Sequence, residues 1–470
     1  MSLHSNLMAI TIAVATSLSL PVWAETKQEW GERVITFQNT IDQDAPLAET
    51  TFPGTHNSFA NNSDDDYMNE ALNQARSIID QQNRGVRSIG LDLHWSNDKV
   101  RMCHNNLSWS PCIENFTGQR RFRAYLKDLA NWVESNPDQV VLIHIDDVDD
   151  KAGKIDDEIK DYIAEHVMRT DSGVTTHGNY GGNGCTELPV DTLTKSKVLA
   201  ADKNIIFWSN NKCKDKSTFN DYVFYAGDEV DDVGEPGDLD TYGTAQTTLH
   251  RTKDSTTKGT TGSSSPKLKP STIESFLDAG LNIFEVYGYS ATGSDWKSKG
   301  EYPVAAADMV WSWDYNDSDG NGTYEPDGSG NCAYIDPTNR RMRDANCTIS
   351  KYAACRRLVE DNTGTRAYND YIVTSIPTSF TNAEAQCNAD GSGEYYFATP
   401  RNKVELNALL NVIDDQELTQ NDVWVNYQKD TNGNWVTDIG EADAEMKASC
   451  DAGSNANVCG VIDQYLSKIQ

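Results

Sequence analysis

Short strand-like runs recur between amphipathic helical stretches up to about Asp314, and this alternation constrains the fold more than any other feature. Strand candidates are Glu49–Phe52, Arg87–Leu93, Val100–His104, Val140–Asp146, Val198–Ala201, Ile205–Ser209, Ile283–Tyr287 and Met309–Trp313, each with apolar, β-branched or aromatic character. Between two of them, Phe122, Tyr125, Leu126, Leu129, Trp132 and Val133 repeat with helical period until Pro137 ends the segment. A second helix is expected from Asn69 to Gln82, stopping near Gly85. Repetition at this pitch predicts an α/β chain with a parallel sheet, closed at this length into a (β/α)8 TIM-type barrel. An open doubly wound sheet is the alternative.

Side chains alternate along a strand between the barrel interior and the helix layer. In Ser88–Leu93 the residues Ile89, Leu91 and Leu93 share one face, and Ser88, Gly90 and Asp92 share the other, which must look inward. Val140, Leu142, His144 and Asp146 lie together, with Asp146 at the carboxyl end of its strand, where barrel enzymes keep their chemistry. His56, Asp92, His104 and Asp146 all fall at or just past strand ends. His56 and Asn57 also sit on a tight turn, Gly54-Thr55-His56-Asn57-Ser58. Two histidines and an acid in this arrangement suit phosphodiester chemistry. One imidazole can deprotonate an attacking hydroxyl and the other can protonate the leaving oxygen, while Asn57 and Asp92 hold a hard cation. A lone strand-end histidine is more often structural, and Asp92 could instead be a buried partner of Arg87. The second histidine in step with the first favours catalysis for His56 and His104. His94 and His144 are expected to pack or hydrogen-bond inside the barrel, and Thr252 to Lys269 reads as a Ser/Thr/Lys-rich loop.

These segments resemble the catalytic domain of phosphatidylinositol-specific phospholipase C and its bacterial relatives. The resemblance rests on the Gly54–Ser58 turn, Gly85–Asp92, Cys103-His104, Trp132 through Asn136-Pro137-Asp138-Gln139-Val140-Val141 to Ile145-Asp146-Asp147, and Trp311-Ser312-Trp313. It implies catalytic roles for His56 and His104, with Asp92 beside them, and substrate contact for Arg87. It also implies Ca2+ ligation by Asn57, Asp92 and Asp146, with Asp147 as an alternative to the last. In metal-independent members an arginine stands at the place of Asp92 and an aspartate at that of Asn57, so both positions favour the calcium version. Gly90 departs from the pattern, because calcium-dependent relatives of the animal type carry a glutamate ligand there. Water or substrate oxygens would then complete a shell of 6–8.

The apolar run Leu7 to Leu20, ending in Val22-Trp23-Ala24, predicts a secretory signal over residues 1–24, and no later segment is apolar enough for a membrane span. A secreted or periplasmic location follows, and there ten cysteines imply disulfides. A net charge of −31 argues against nucleic acid as a partner. It also opposes long-range attraction to an anionic membrane, so a phospholipid headgroup at that surface must be held by short-range contacts or a bridging cation. The barrel is expected over 25–315 and a small disulfide-rich α+β module over 316–470.

In the tail, Glu325-Pro326-Asp327, Asn331-Cys332, Asp344, Cys347 and Cys355 are similar to the second half of a C-type-lectin-like domain. Ser379 to Ala383, Cys387, Phe397-Ala398, Leu406, Leu409-Leu410 and Val423-Trp424-Val425 resemble its first half, in reversed order. That resemblance implies bridges Cys332–Cys347 and Cys355–Cys387, leaving Cys103–Cys112, Cys185–Cys213 and Cys450–Cys459 as local pairs. It also implies a glycan as a partner of the tail. The function expected is a monomeric, calcium-assisted phosphodiesterase acting on an inositol or glycosyl-inositol phospholipid. The alternative is an inactive barrel whose lectin-like tail binds surface glycans or lipid headgroups.

Overall fold

The computed structural model describes residues 25–61, 63–64, 74, 76–96, 98–103, 120–148, 151–170, 179–180, 185–209, 219, 221–226, 230–232, 249–253, 270–286, 306–315, 324–360 and 367–437. The expected signal segment, His104, most of the 252–269 loop, residues 69–73 and 75 of the expected Asn69–Gln82 helix and the cysteines 112, 213, 450 and 459 lie outside them; the described part of that helix begins only at Ile78. No described helix is long and apolar enough to cross a membrane.

The larger sheet contains β1 (Phe52–Thr55), β2 (Ser88–Ser96), β3 (Lys99–Met102), β4 (Val141–Val148), β7 (Ile205–Ser209), β8 (Val223–Tyr225), β9 (Val230–Asp232), β10 (Leu249–Lys253) and β11 (Ile283–Val286). A separate ribbon pairs β5 (Asn179–Tyr180) with β6 (Cys185–Thr186). The strand order is β8-β7-β4-β2-β1-β11-β10-β9, and every neighbouring pair on that path is parallel. Successive strands are therefore spatial neighbours, and the first also pairs with the last, which is the winding of a TIM-type barrel. Among the described residues β8 and β9 do not pair, so the curled sheet has a seam where a closed ring was expected.

Alternation along the strands is as the sequence predicts. Ile89, Leu91, Leu93, Ile143 and Ile145 pack outward on Phe122, Tyr125, Leu126 and Leu129. Phe52, Leu142, Ile206, Trp208, Phe224, Leu249 and Ile283 fill the interior. Among the helices, α1 spans Lys27–Ile41, α2 Ile78–Asn83, α3 Phe122–Ser135, α4 Ala152–Tyr162, α5 Lys195–Ala200 and α6 Pro270–Asp278. α3 stops at Asn136 because Pro137 bars the α region to the residue before it, and the Asn136 amide caps the Trp132 carbonyl at 2.7 Å.

Four expected strands differ in the structure. Of Glu49–Phe52, Glu49 ends a 3-10 turn, Leu47–Glu49, and only Phe52 enters β1. Val198–Ala201 falls on α5, which starts where the Thr194 hydroxyl accepts from the Lys197 N–H. Val100–His104 contributes β3, antiparallel to β2 rather than a barrel strand. Met309–Trp313 follows a 3-10 turn, Ala306–Met309, and joins the second sheet: Met342 donates to Ser312 O at 2.7 Å, and Asp314 donates to Met342 O at 2.9 Å.

That second sheet comprises β12 (Cys332–Asp336), β13 (Arg341–Ala345), β14 (Tyr352–Glu360), β15 (Ala367–Val373), β16 (Tyr396–Phe397), β17 (Val423–Lys429) and β18 (Trp435–Thr437), with α7 (Ala383–Asp390) and α8 (Lys403–Asp415). Cys332–Cys347 ties β12 to the chain after β13, and Cys355–Cys387 ties β14 to α7, both as expected. Cys103 is also disulfide-bonded.

The second sheet shares a core with the barrel wall. Trp30, Val34 and Ile35 of α1 and Ile273, Phe276 and Leu277 of α6 join Trp311 and Trp313, Ile335, Leu406, Leu409, Leu410, Tyr427 and Trp435 in one cluster. The fully buried Arg401 crosses the boundary, pairing with Glu49 ahead of β1 and with Glu405, 2.7 Å away in α8. Asn402 donates to Glu49 O at 3.0 Å beside it. Arg401→Ala strands the buried Glu49 and Glu405 carboxylates, so we expect a loss of about 3–5 kcal/mol. Urea unfolding followed by circular dichroism checks this, and barrel and tail should melt in a single transition.

Candidate active site

The turn after β1 is held on three sides. His56 N–H donates to Val286 O at 3.0 Å and Ser58 N–H to Gly90 O at 2.9 Å. Gln74 Nε2 bonds His56 O at 2.7 Å and Val286 O at 2.9 Å. The Ser58 hydroxyl accepts the Gly90 N–H at 3.1 Å and lies 2.7 Å from Thr55 Oγ1. Asn57 takes φ of 45°, a left-handed conformation that Asn tolerates better than most residues and that lets the chain reverse here.

Two glycines make room for this arrangement. A Cβ at Gly54 would sit 2.1 Å from Phe284 O, and one at Gly90 would sit 3.1 Å from Thr55 O and 3.4 Å from Asn57 N. Gly54 lies in register with Glu285, and Gly90 with His144, so close backbone approach falls beside each buried polar side chain. The turn backbone thus crowds the place a side chain at Gly90 would take.

Glu285 on β11 is the centre of the interior polar group. Its Oε2 lies 3.4 Å from His56 Nδ1 and its Oε1 lies 3.1 Å from His144 Nδ1. Arg251 Nη1 on β10 is 3.6 Å from Glu285 Oε1 and 2.7 Å from His144 Nδ1. His144 stacks on Trp208 with centroids 4.0 Å apart, and its Nε2 lies 3.9 Å from Asp146 Oδ1. Glu285, Arg251 and His144 are all fully buried. Burial by itself raises the Glu285 pKa, but the Arg251 charge, then His144 and the hydrogen bonds of both imidazoles, hold it well below the usual carboxylate range. The carboxylate is therefore charged, against His56.

The structure brings His56, His144 and Asp146 into one connected group and places Asn57 on the turn beside it. Asp92 is buried at a β2 irregularity, in register with Asp147. Cys103, the residue before His104, donates its N–H to Asp92 O at 3.1 Å. Arg87 stands apart. It lies just ahead of β2, two residues before the outward-facing Ile89, with its guanidinium 5.0 Å over Trp132 and bonded to Gln139 Oε1 at 2.9 Å and Gln82 O at 2.8 Å. Strand parity turns it toward the helix layer, away from the substrate contact expected of it.

Sequence reasoning passed over Glu285, Arg251 and Trp208. Glu285 had a signal: it is the one charge inside Ile283-Phe284-Glu285-Val286. Arg251 did not, because β10 merges into the Ser/Thr/Lys-rich stretch that reads as loop.

A family model described as the Rv2075c PI-PLC-like domain matches residues 13–286, more than half of the chain. The chain belongs to that family. Among curated relatives it is similar to the uncharacterized proteins Rv2075c and MT2135 of Mycobacterium tuberculosis strains H37Rv and CDC 1551. Each is 25% identical over 408 residues, which is 80% of this chain and 75% of the relative. Among solved structures it is similar to a mutant of phosphatidylinositol-specific phospholipase C from Staphylococcus aureus, at 14% identity over 61% of this chain and 97% of that one, TM-score 0.36. The phospholipase from Listeria monocytogenes matches at 15% identity over 53% of this chain and 92% of that one, also with TM-score 0.36.

Among the described residues, the three acidic or imidazole side chains whose ligand atoms all lie within 4.8 Å of one another are Glu325, Asp327 and Asp344, in the tail. Arg343 Nε already contacts Glu325 Oε1 at 2.7 Å, and Asp344 accepts the N–H groups of Asp327 at 2.8 Å and Gly330 at 2.7 Å. Burial, then the hydrogen bond with Asp344, pushes the Glu325 carboxyl up to about 7. A raised folded pKa means stability that is full below about 4.5 and lost as pH rises through about 7. Melting temperature should therefore fall across that window, and Glu325→Gln should flatten this part of the slope in a pH series of thermal melts.

Proposed function

We propose that this family member is a phosphoric diester hydrolase of phospholipase C type, cleaving the phosphodiester of an inositol or glycosyl-inositol phospholipid. The contact of His56 Nδ1 with the charged, buried Glu285 carries the reading. A Nδ1–H facing a carboxylate selects the tautomer with its basic lone pair on Nε2, and the carboxylate stabilises the imidazolium that forms when that nitrogen takes a proton. Membership of a family described as PI-PLC-like supports the reaction type.

In this mechanism His56 removes the proton from a hydroxyl next to the phosphodiester, and that oxygen attacks phosphorus in line. An O–P bond forms as the P–O bond to diacylglycerol breaks, and His104 gives a proton to the departing oxygen; water then opens the cyclic phosphodiester in a second step, losing a proton to His104 while His56 protonates the released hydroxyl, so both imidazoles are restored. Glu285 acts on His56 as a positioning residue. Arg251 and His144 keep Glu285 ionised.

Asn57, Asp92 and Asp146 offer the hard oxygen donors that calcium takes, and three are short of the 6–8 it needs, so water and substrate oxygens would complete the shell. The cation would offset charge on the equatorial phosphoryl oxygens. The expected signal segment and the two tail disulfides support a secreted or periplasmic site of action, where the substrate headgroup lies at a membrane surface.

Turnover of phosphatidylinositol in vesicles tests the reading. His56→Ala and His104→Ala should each cost about 10²–10⁴ in rate. Glu285→Gln should cost about 10²-fold or more while leaving KM nearly unchanged. A calcium chelator should suppress activity and added calcium should restore it; full activity in chelator removes the cation. No turnover of any phosphodiester by the folded wild-type chain overturns the enzyme and leaves the binding-protein alternative.

A further inference from the structure

A cleft of about 900 Å³ lies between the barrel wall and the second sheet, outside the His56 site. α1, α6 and the segment after the 3-10 turn form one side, and α8 with the β12–β13 turn forms the other. Its charges are matched in advance. Lys27 Nζ is 3.1 Å from Asp308, and Arg341 Nη2 is 2.8 Å from Glu274. Lys403 Nζ is 2.8 Å from Glu274 and 3.7 Å from Asp278. Arg340 adds a fourth cation to the lining and Asp314 a fourth carboxylate. Amides extend the network, with Asn407 donating to Asp278 and Asn339 to Asp314, each at 2.8 Å.

Such a lining selects by chemistry. A phosphate or carboxylate would have to break an ion pair that already exists, and an apolar ligand would leave these groups facing it without water. A hydroxyl donates and accepts at once, so it can join a carboxylate or a guanidinium without separating them. Tyr315 supplies a half-buried ring, stacked on Tyr324 with centroids 4.1 Å apart, tilted against Trp30 at 5.1 Å, and with Lys27 Nζ 5.9 Å over its centroid. A fixed aromatic ring beside paired polar groups offers the C–H bonds of a sugar an apolar contact while its hydroxyls meet the charges.

We propose that this interdomain cleft binds a neutral saccharide. α1 leads into β1 and α6 into β11, the strands that place His56 and Glu285, so the cleft flanks the wall of the barrel that carries the site. The saccharide is either the glycan of a glycosylated substrate headgroup, which rests on the proposed function, or a separate surface glycan, which does not.

Isothermal titration of the full chain with mannotriose, maltotriose and chitotriose at about 5 mM reaches well above a Kd of about 1 mM, or −4.1 kcal/mol. At least one trisaccharide should bind, and Tyr315→Ala and Asn407→Ala, each with unchanged melting temperature, should weaken it about tenfold, or 1.4 kcal/mol. If the saccharide belongs to the substrate, Tyr315→Ala should raise KM for a glycosyl-inositol phospholipid about tenfold and leave plain phosphatidylinositol unaffected, since uniform binding alone is lost. If it is separate, both lipids should turn over as before while saccharide binding is still lost. No heat with any of the three sugars, or binding that survives both substitutions, overturns the proposal whatever the phosphodiesterase assay gives.

Discussion

Glu285 is a carboxylate without access to water, and the interior of the barrel is organised around keeping it charged. An isolated buried charge would take up a proton rather than bear the loss of hydration. Here Arg251 arrives from β10, His144 from β4 and His56 from the turn after β1, so three strands must close on one another before the charge is balanced. The pairing of β1 with both β2 and β11 brings them within reach. The same closure gives the His56 imidazole a defined orientation, which is the condition for the base role proposed for it.

Close backbone approach is the second requirement. Gly54 is needed because β1 runs so near Phe284 that no side chain fits, and Gly90 because the Asn57 turn lies directly over β2. Asn57 accepts the left-handed conformation that the reversal imposes. Those residues are conformational necessities before they are chemical ones, and Asn57 is the one that serves both ends in the proposed site.

The second sheet is part of the barrel's wall. α1 and α6 share one cluster with Phe284 and Val286 of β11 and with residues from β12, α8 and β17. Arg401 then bridges to Glu49 at the entrance to β1. A displacement of the tail would therefore be felt at the strand that carries His56, and the cleft with paired charges exists only because two units meet there.

Much of this was legible along the chain. Alternation in β2 and β4, the helical period from Phe122 to Val133, and the placement of His56 and Asp146 at strand ends follow from local periodicity and from where the apolar runs stop. The disulfides Cys332–Cys347 and Cys355–Cys387 came from a resemblance rather than from spacing. What the chain could not disclose is which distant residues meet. Glu285 lies 229 positions from His56, and nothing in either neighbourhood names the other. Trp311 to Trp313 reads as a strand, yet local pattern cannot say which sheet takes it. Arg87 reads as a substrate contact or a partner of Asp92 until the packing turns it onto Trp132. Periodicity is a property of a few consecutive residues and is set by backbone geometry alone; charge pairing, sheet membership and the cleft depend on the closure of the whole chain, which only the tertiary structure decides.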